Sequence, residues 1–143
     1  MYDIDIAKKF NKDIGEEYYT AIQFLELSEE TAILKFRQVA ELLTYHLSNH
    51  FKIEFSKESF YTRIKVLTEK KILNEELKDS FHKLRILCNN SIHKYDLNKD
   101  KKEEILVSDE DGFQKKEYSD IKEIRELVIN ILKKVYSLIN QCA

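Results

Sequence analysis

The chain contains no proline and only two glycines, Gly15 and Gly112, in 143 residues. Proline and glycine are the residues that most readily stop a helix or set a tight turn, so a chain without them is biased towards long uninterrupted helices. The length suits one domain with a real core, and the expectation is a single helical domain over residues 1–143. Hydrophobic residues at 43% and charged residues at 35% favour a compact fold over a disordered chain.

Hydrophobic spacing supports helices. Three starts carry a cap-type residue followed by two glutamates, which favour the positive end of the helix dipole: "GEE" at 15–17, "SEE" at 28–30 and "NEE" at 74–76. After Ser28, the residues Ile33, Phe36, Val39, Ala40, Leu43, Leu47 and Phe51 recur every three or four positions and predict one long buried stripe. A shorter helix is expected after Ser56, carrying Phe60, Ile64 and Leu67. A fourth spans roughly 75–95 on Leu77, Phe81, Leu84, Cys88 and Tyr95. The last is capped by Ser119 and carries Ile121, Ile124, Val128, Ile131, Val135 and Leu138. The predicted fold class is therefore all-α, an antiparallel bundle of four to five helices, with a small hairpin around Asp111-Gly112 before the last helix.

Charge and cysteine content narrow the function. A formal net charge of −2 argues against gripping nucleic acid by bulk positive charge, so any such site must be local. Two cysteines, Cys88 and Cys142, are too few for a disulfide framework and fit a reducing interior. With no apolar run long enough to span a bilayer and no signal-peptide pattern in "MYDIDIAKKF", a cytoplasmic protein without membrane contact is expected. His46 and His50, four residues apart, share a helix face but lack the glutamate and third ligand of a zinc site, so no metal and no cofactor are expected. The alternating charges of "KDKKEE" at 99–104 read as a solvated loop. No glycine-rich phosphate loop or nucleophile elbow is found in the sequence.

One stretch stands out. "RILCNNSIHKYD" at 85–96 places polar groups in an otherwise apolar helix. At 100° per residue, His82, Arg85, Asn89 and His93 fall within about 80° of one another, away from the stripe that holds Cys88. Ile86 lies near this polar face, which predicts that the face is covered, for instance by a second copy of the chain.

"FHKLRILCNNSIH" at 81–93, preceded in order by "RQVAELLTYHL" at 37–47 and "RIKVLTEKKIL" at 63–73, resembles the HEPN superfamily of nucleotide-binding helical domains. The likeness spans about residues 16–96 and is greatest to the domain of uncharacterised function near the N-terminus of many type I restriction enzyme R (HsdR) subunits. The resemblance implies a module of a prokaryotic restriction or antiviral defence system, with a homodimer, defence subunits, and RNA or DNA as partners. Asn89 and His93 fall on the Asn and His of the superfamily motif R-N-x-x-x-H, and Tyr95 on a Tyr often found after it. The motif Arg is replaced by Cys88.

That replacement sets two expectations. One is a non-catalytic module that binds a partner protein or nucleic acid through His82, Arg85, Asn89, His93 and Tyr95. The other, implied by the superfamily's ribonucleases, is a toxin-type, metal-independent endoribonuclease using His93 and Asn89, with Arg85 in place of the lost Arg. The residues themselves also allow purely structural roles: Asn89 tying helices together, His93 at a helix C-terminus, and a helical domain with no nucleic-acid connection.

Overall fold

A computed structural model describes residues 3–55, 58–93 and 120–141. Within them the chain forms six helices and no strand: α1 Asp3–Phe10, α2 Lys12–Gln23, α3 Glu29–His50, α4 Phe60–Glu69, α5 Glu75–His93 and α6 Asp120–Gln141. The all-α bundle is thus as expected, with one more helix than the sequence pattern predicted. The extra one is α1. The expected hairpin around Asp111-Gly112 lies outside the described residues.

Successive helices pack on one another, and α3 is the axis of the bundle, packing on α2, α4, α5 and α6. Its stripe Ile33, Phe36, Val39, Ala40, Leu43 and Leu47 is fully buried, while Phe51 at its end is half-buried. Phe60, Ile64 and Leu67 of α4 and Leu77, Phe81, Leu84 and Cys88 of α5 join the same core, with Ile124, Val128, Ile131 and Val135 of α6. Phe60 and Phe81 meet edge to face at 6.3 Å between ring centres, which fixes α4 against α5.

The helix starts follow local chemistry. Ser28 accepts from the Thr31 amide, Ser59 from Thr62 and Asn74 from Leu77, so the "SEE" and "NEE" signals mark true N-caps. The "GEE" signal does not. Asn11 caps α2 by accepting from Ile14 N–H at 2.8 Å, and Gly15 lies inside that helix. There its missing side chain matters, because a Cβ would sit 2.9 Å from Lys8 Cγ and 3.1 Å from Lys8 Cα. Gly15 lets α1 fold back against α2 around a single-residue elbow.

Helix ends are made without glycine. Lys52 and Lys71 adopt left-handed backbone, φ 60° and φ 64°, immediately after α3 and α4. Ile53 N–H donates to Ser48 C=O at 2.7 Å and Ile72 N–H to Leu67 C=O at 3.0 Å, with Lys52 and Lys71 donating to Asn49 and Thr68. These are Schellman closures, which satisfy the last carbonyls of each helix and place Ile53 and Ile72 against the core. An L-residue with a Cβ is strained there, by roughly 1–2 kcal/mol. Lys71→Gly is therefore expected to raise stability by about 0.5–1 kcal/mol after the entropic cost of glycine. A urea titration reads this as a higher midpoint at unchanged slope; a lower midpoint would show that the Lys71 conformation is not strained.

Candidate functional site

The helix α5 has two faces with different tasks. Its apolar face is in the core, and Cys88 belongs to that face: it is fully buried, its Sγ 3.9 Å from the Ile33 carbonyl of α3. Position 88 thus points into the protein interior. His82, Arg85 and Asn89 sit together on the opposite side, each half-buried. His93 is the last residue of α5, and its side chain, like Tyr95, lies outside what is described. Asn90, not Asn89, is the amide that enters the interior, together with Ser91.

The residue that completes this face comes from α4. Tyr61 is half-exposed, and its ring lies 5.2 Å from the His82 ring at an interplanar angle of 45°. The Arg85 guanidinium carbon stands 5.1 Å from the centre of the same ring. An aromatic plate, an imidazole and a guanidinium thus share one patch of surface. Burial, then the positive charges of Arg85 and Lys78, hold the His82 imidazole below its ordinary pKa, against a smaller opposite pull from Asp79. His82 Nδ1 is buried and has no hydrogen-bond partner among the described residues. A bare ring nitrogen there costs less than a bare N–H, which favours the neutral tautomer with its proton on Nε2.

The helix that carries Tyr61 is held by a residue two positions along. Arg63 is almost wholly buried, and its Nε donates to Thr44 Oγ1 at 2.9 Å while Nη1 donates to Tyr45 Oη at 3.0 Å and to the Glu58 carbonyl at 2.6 Å. Thr44 passes its own proton to the Glu41 carbonyl at 2.6 Å, which leaves its oxygen open to Arg63. The guanidinium also stacks on the Tyr45 ring at 4.1 Å, with the Glu41 carboxylate 4.0 Å from Nη2. One planar fork thus pins α4 to α3 in a fixed orientation.

Neither Tyr61 nor Arg63 was singled out from sequence. Ile86, in contrast, needs no second chain: it is only 8% exposed in the single chain, so its cover is internal and the expected argument for a dimer from this residue fails. The lysines Lys83 and Lys134 form ion pairs with Glu123 and Glu76 that link α5 to α6.

His46 and His50 take part in a different contact. The His46 ring meets Phe10 edge to face at 5.5 Å, and its Nδ1 lies 3.4 Å from the Asn11 amide nitrogen. Asn11 has its oxygen engaged in the α2 cap, so the amide must donate and His46 must accept, which requires a neutral ring. Burial, and then the charge of His50, lower the His46 pKa in agreement. Among the described residues no three His, Cys, Asp or Glu side chains are grouped as a metal site would require, and no helix is long and apolar enough to cross a membrane.

Comparison with known proteins identifies the family. Residues 19–143 match the family described as a domain of unknown function, DUF4145, and the chain belongs to it. No curated protein and no solved structure matches the chain. The matched segment begins within α2, so α1 and the Asn11 elbow precede it.

The two perturbed histidines set a pH dependence. The unfolded chain takes up protons on both near pH 6.5, whereas the fold resists them until lower pH. Stability is therefore fully present above pH 6.5 and declines as pH falls through 6.5 towards the lower folded values. Urea midpoints at pH 7.5 and 5.5 should show this fall, and a His46→Gln/His82→Gln variant should show a smaller one. An equal fall in both proteins would remove these histidines as its cause.

Proposed function

We propose that this chain is a non-catalytic binding module of a prokaryotic restriction or antiviral defence system, which meets a nucleic acid or a partner protein through the exposed side of α4 and α5. The observation that carries the reading is the pairing of Cys88 with Arg85 on α5. The position that holds Arg in the HEPN motif is turned into the core, while Arg85, the arginine of this helix, sits eight residues before His93, about 12 Å along the axis. General acid-base and anion-stabilising groups must lie within hydrogen-bond reach of the same phosphate. A separation of two helical turns favours recognition over cleavage. The Asn89 and His93 of the resembled motif then serve as contact or helix-end residues. The link to defence, and a homodimer, rest on the likeness to the HsdR-type domain, and Ile86 adds nothing to the latter.

The test is incubation of the purified protein with mixed RNA in the presence of a chelator. No cleavage above the buffer control is expected. Cleavage that resists the chelator and disappears in both Arg85→Ala and His93→Ala, with melting temperatures unchanged, would replace this proposal with the metal-independent ribonuclease in which Arg85 and His93 act together, with Asn89 as a positioning residue.

A further inference from the structure

We propose that Tyr61 is a stacking platform for an unpaired nucleobase, and that the natural ligand of the α4–α5 face is single-stranded nucleic acid. This rests on the binding reading above and names its ligand class. The Tyr61 ring is half open to water, while Phe60 beside it supplies the buried apolar contact to α5 through Phe81. The ring is nevertheless held from two directions. The Arg63 fork fixes its helix on α3, and His82 and Arg85 border the ring itself. Such an arrangement limits the rotamers that Tyr61 would otherwise lose on binding, so stacking a base on it costs less entropy.

The chemistry of the neighbours fits a base better than a protein side chain. A guanidinium over the ring, 5.1 Å from its centre, places positive charge next to where the phosphate of a stacked base would pass. His82, neutral by burial, adds a third flat group without adding charge. Around them the charges are mixed, with Lys78 engaged by Glu75 and Asp79, and the whole chain carries −2. A surface of that kind cannot attract a duplex by its phosphates. It can hold a splayed base by stacking, with one or two phosphate contacts. A second exposed tyrosine, Tyr19 on α2, lies beside Lys8, Lys12, Gly15 and Thr20 with no guanidinium next to it, and serves as the internal control.

The experiment is fluorescence anisotropy of the full chain with a labelled twelve-nucleotide oligoadenylate, as RNA and as DNA, and with the matching duplex. Either single strand should bind at least tenfold more tightly than the duplex. The logarithm of the association constant should fall with the logarithm of salt with a slope of only about −0.7 to −1.4. Tyr61→Ala should weaken binding about 5-fold to 100-fold. Tyr61→Phe should stay within about threefold of the natural protein, because the ring and not the hydroxyl does the stacking, and Tyr19→Ala should leave it unchanged. Tyr61 is half-exposed, so a melting curve of each variant confirms that the fold is intact. Binding that is lost in Arg85→Ala but indifferent to Tyr61→Ala would overturn the stacking platform while leaving a nucleic-acid module standing. No binding of any oligonucleotide would overturn the platform and leave a partner protein as the occupant of the face.

Discussion

The buried guanidinium of Arg63 is the contact on which the exposed architecture depends. A ten-residue helix has little stability of its own, and α4 gains its place from Phe60, Ile64 and Leu67 in the core and from a fork of hydrogen bonds to α3. Apolar contacts set how deeply a helix sits, but they are tolerant of sliding and rotation. Three directional bonds to Thr44, Tyr45 and the Glu58 carbonyl are not. They determine which residues of α4 face α5, and hence that Tyr61 borders His82 and Arg85. A charge so deeply placed is tolerable because oxygens and an aromatic face surround it.

The helix α5 divides its circumference between an apolar arc and a polar one. Leu77, Phe81, Leu84 and Cys88 are committed to the core shared with α3, α4 and α6, so only the remaining arc can carry contacts to other molecules. His82, Arg85 and Asn89 occupy that arc. Placing an arginine at position 88 would push a guanidinium against the Ile33 carbonyl in a closed interior, where the only way out is rotation of the whole helix. The Cys at this place therefore belongs with the packing of the core, and the polar groups of this helix lie one face away. The DUF4145 match covers both α4 and α5, so this division falls within the family segment.

Much of the fold was legible because hydrophobic spacing is a direct consequence of helix geometry. The stripes of α3 and α6, and Leu77, Phe81, Leu84 and Cys88 of α5, were read correctly for that reason, while Tyr95 lies outside the described residues. The starts at Ser28 and Asn74 were legible because a side-chain oxygen followed by glutamates has one economical use. Two ends were not, because Lys52 and Lys71 do what glycine ordinarily does, and nothing in a lysine announces a left-handed backbone. The "GEE" signal misled for the converse reason: Gly15 serves close approach to Lys8, not a boundary. α1 was missed because eight residues give too short a window for periodicity. On the site, the convergence of His82, Arg85 and Asn89 followed from angles along one helix. Tyr61 depends on contact between two helices, which no single-helix projection contains. Arg63 had a signal that went unused: it lies three residues after Phe60 and four before Leu67, on the flank of the buried stripe, where a charge must find partners.

That the Arg63 fork orients α4, and through it the face formed by Tyr61, His82 and Arg85, is tested by amide hydrogen exchange of the natural protein and Arg63→Lys, resolved residue by residue. Lysine keeps the charge but cannot bridge Thr44, Tyr45 and the Glu58 carbonyl at once. Amides of 60–69 should lose protection by at least tenfold, with the Tyr61, His82 and Arg85 signals shifting together, while the core amides of α6 change little. Equal loss across all helices would make Arg63 a general stabiliser only, and unchanged protection in α4 would contradict the claim outright.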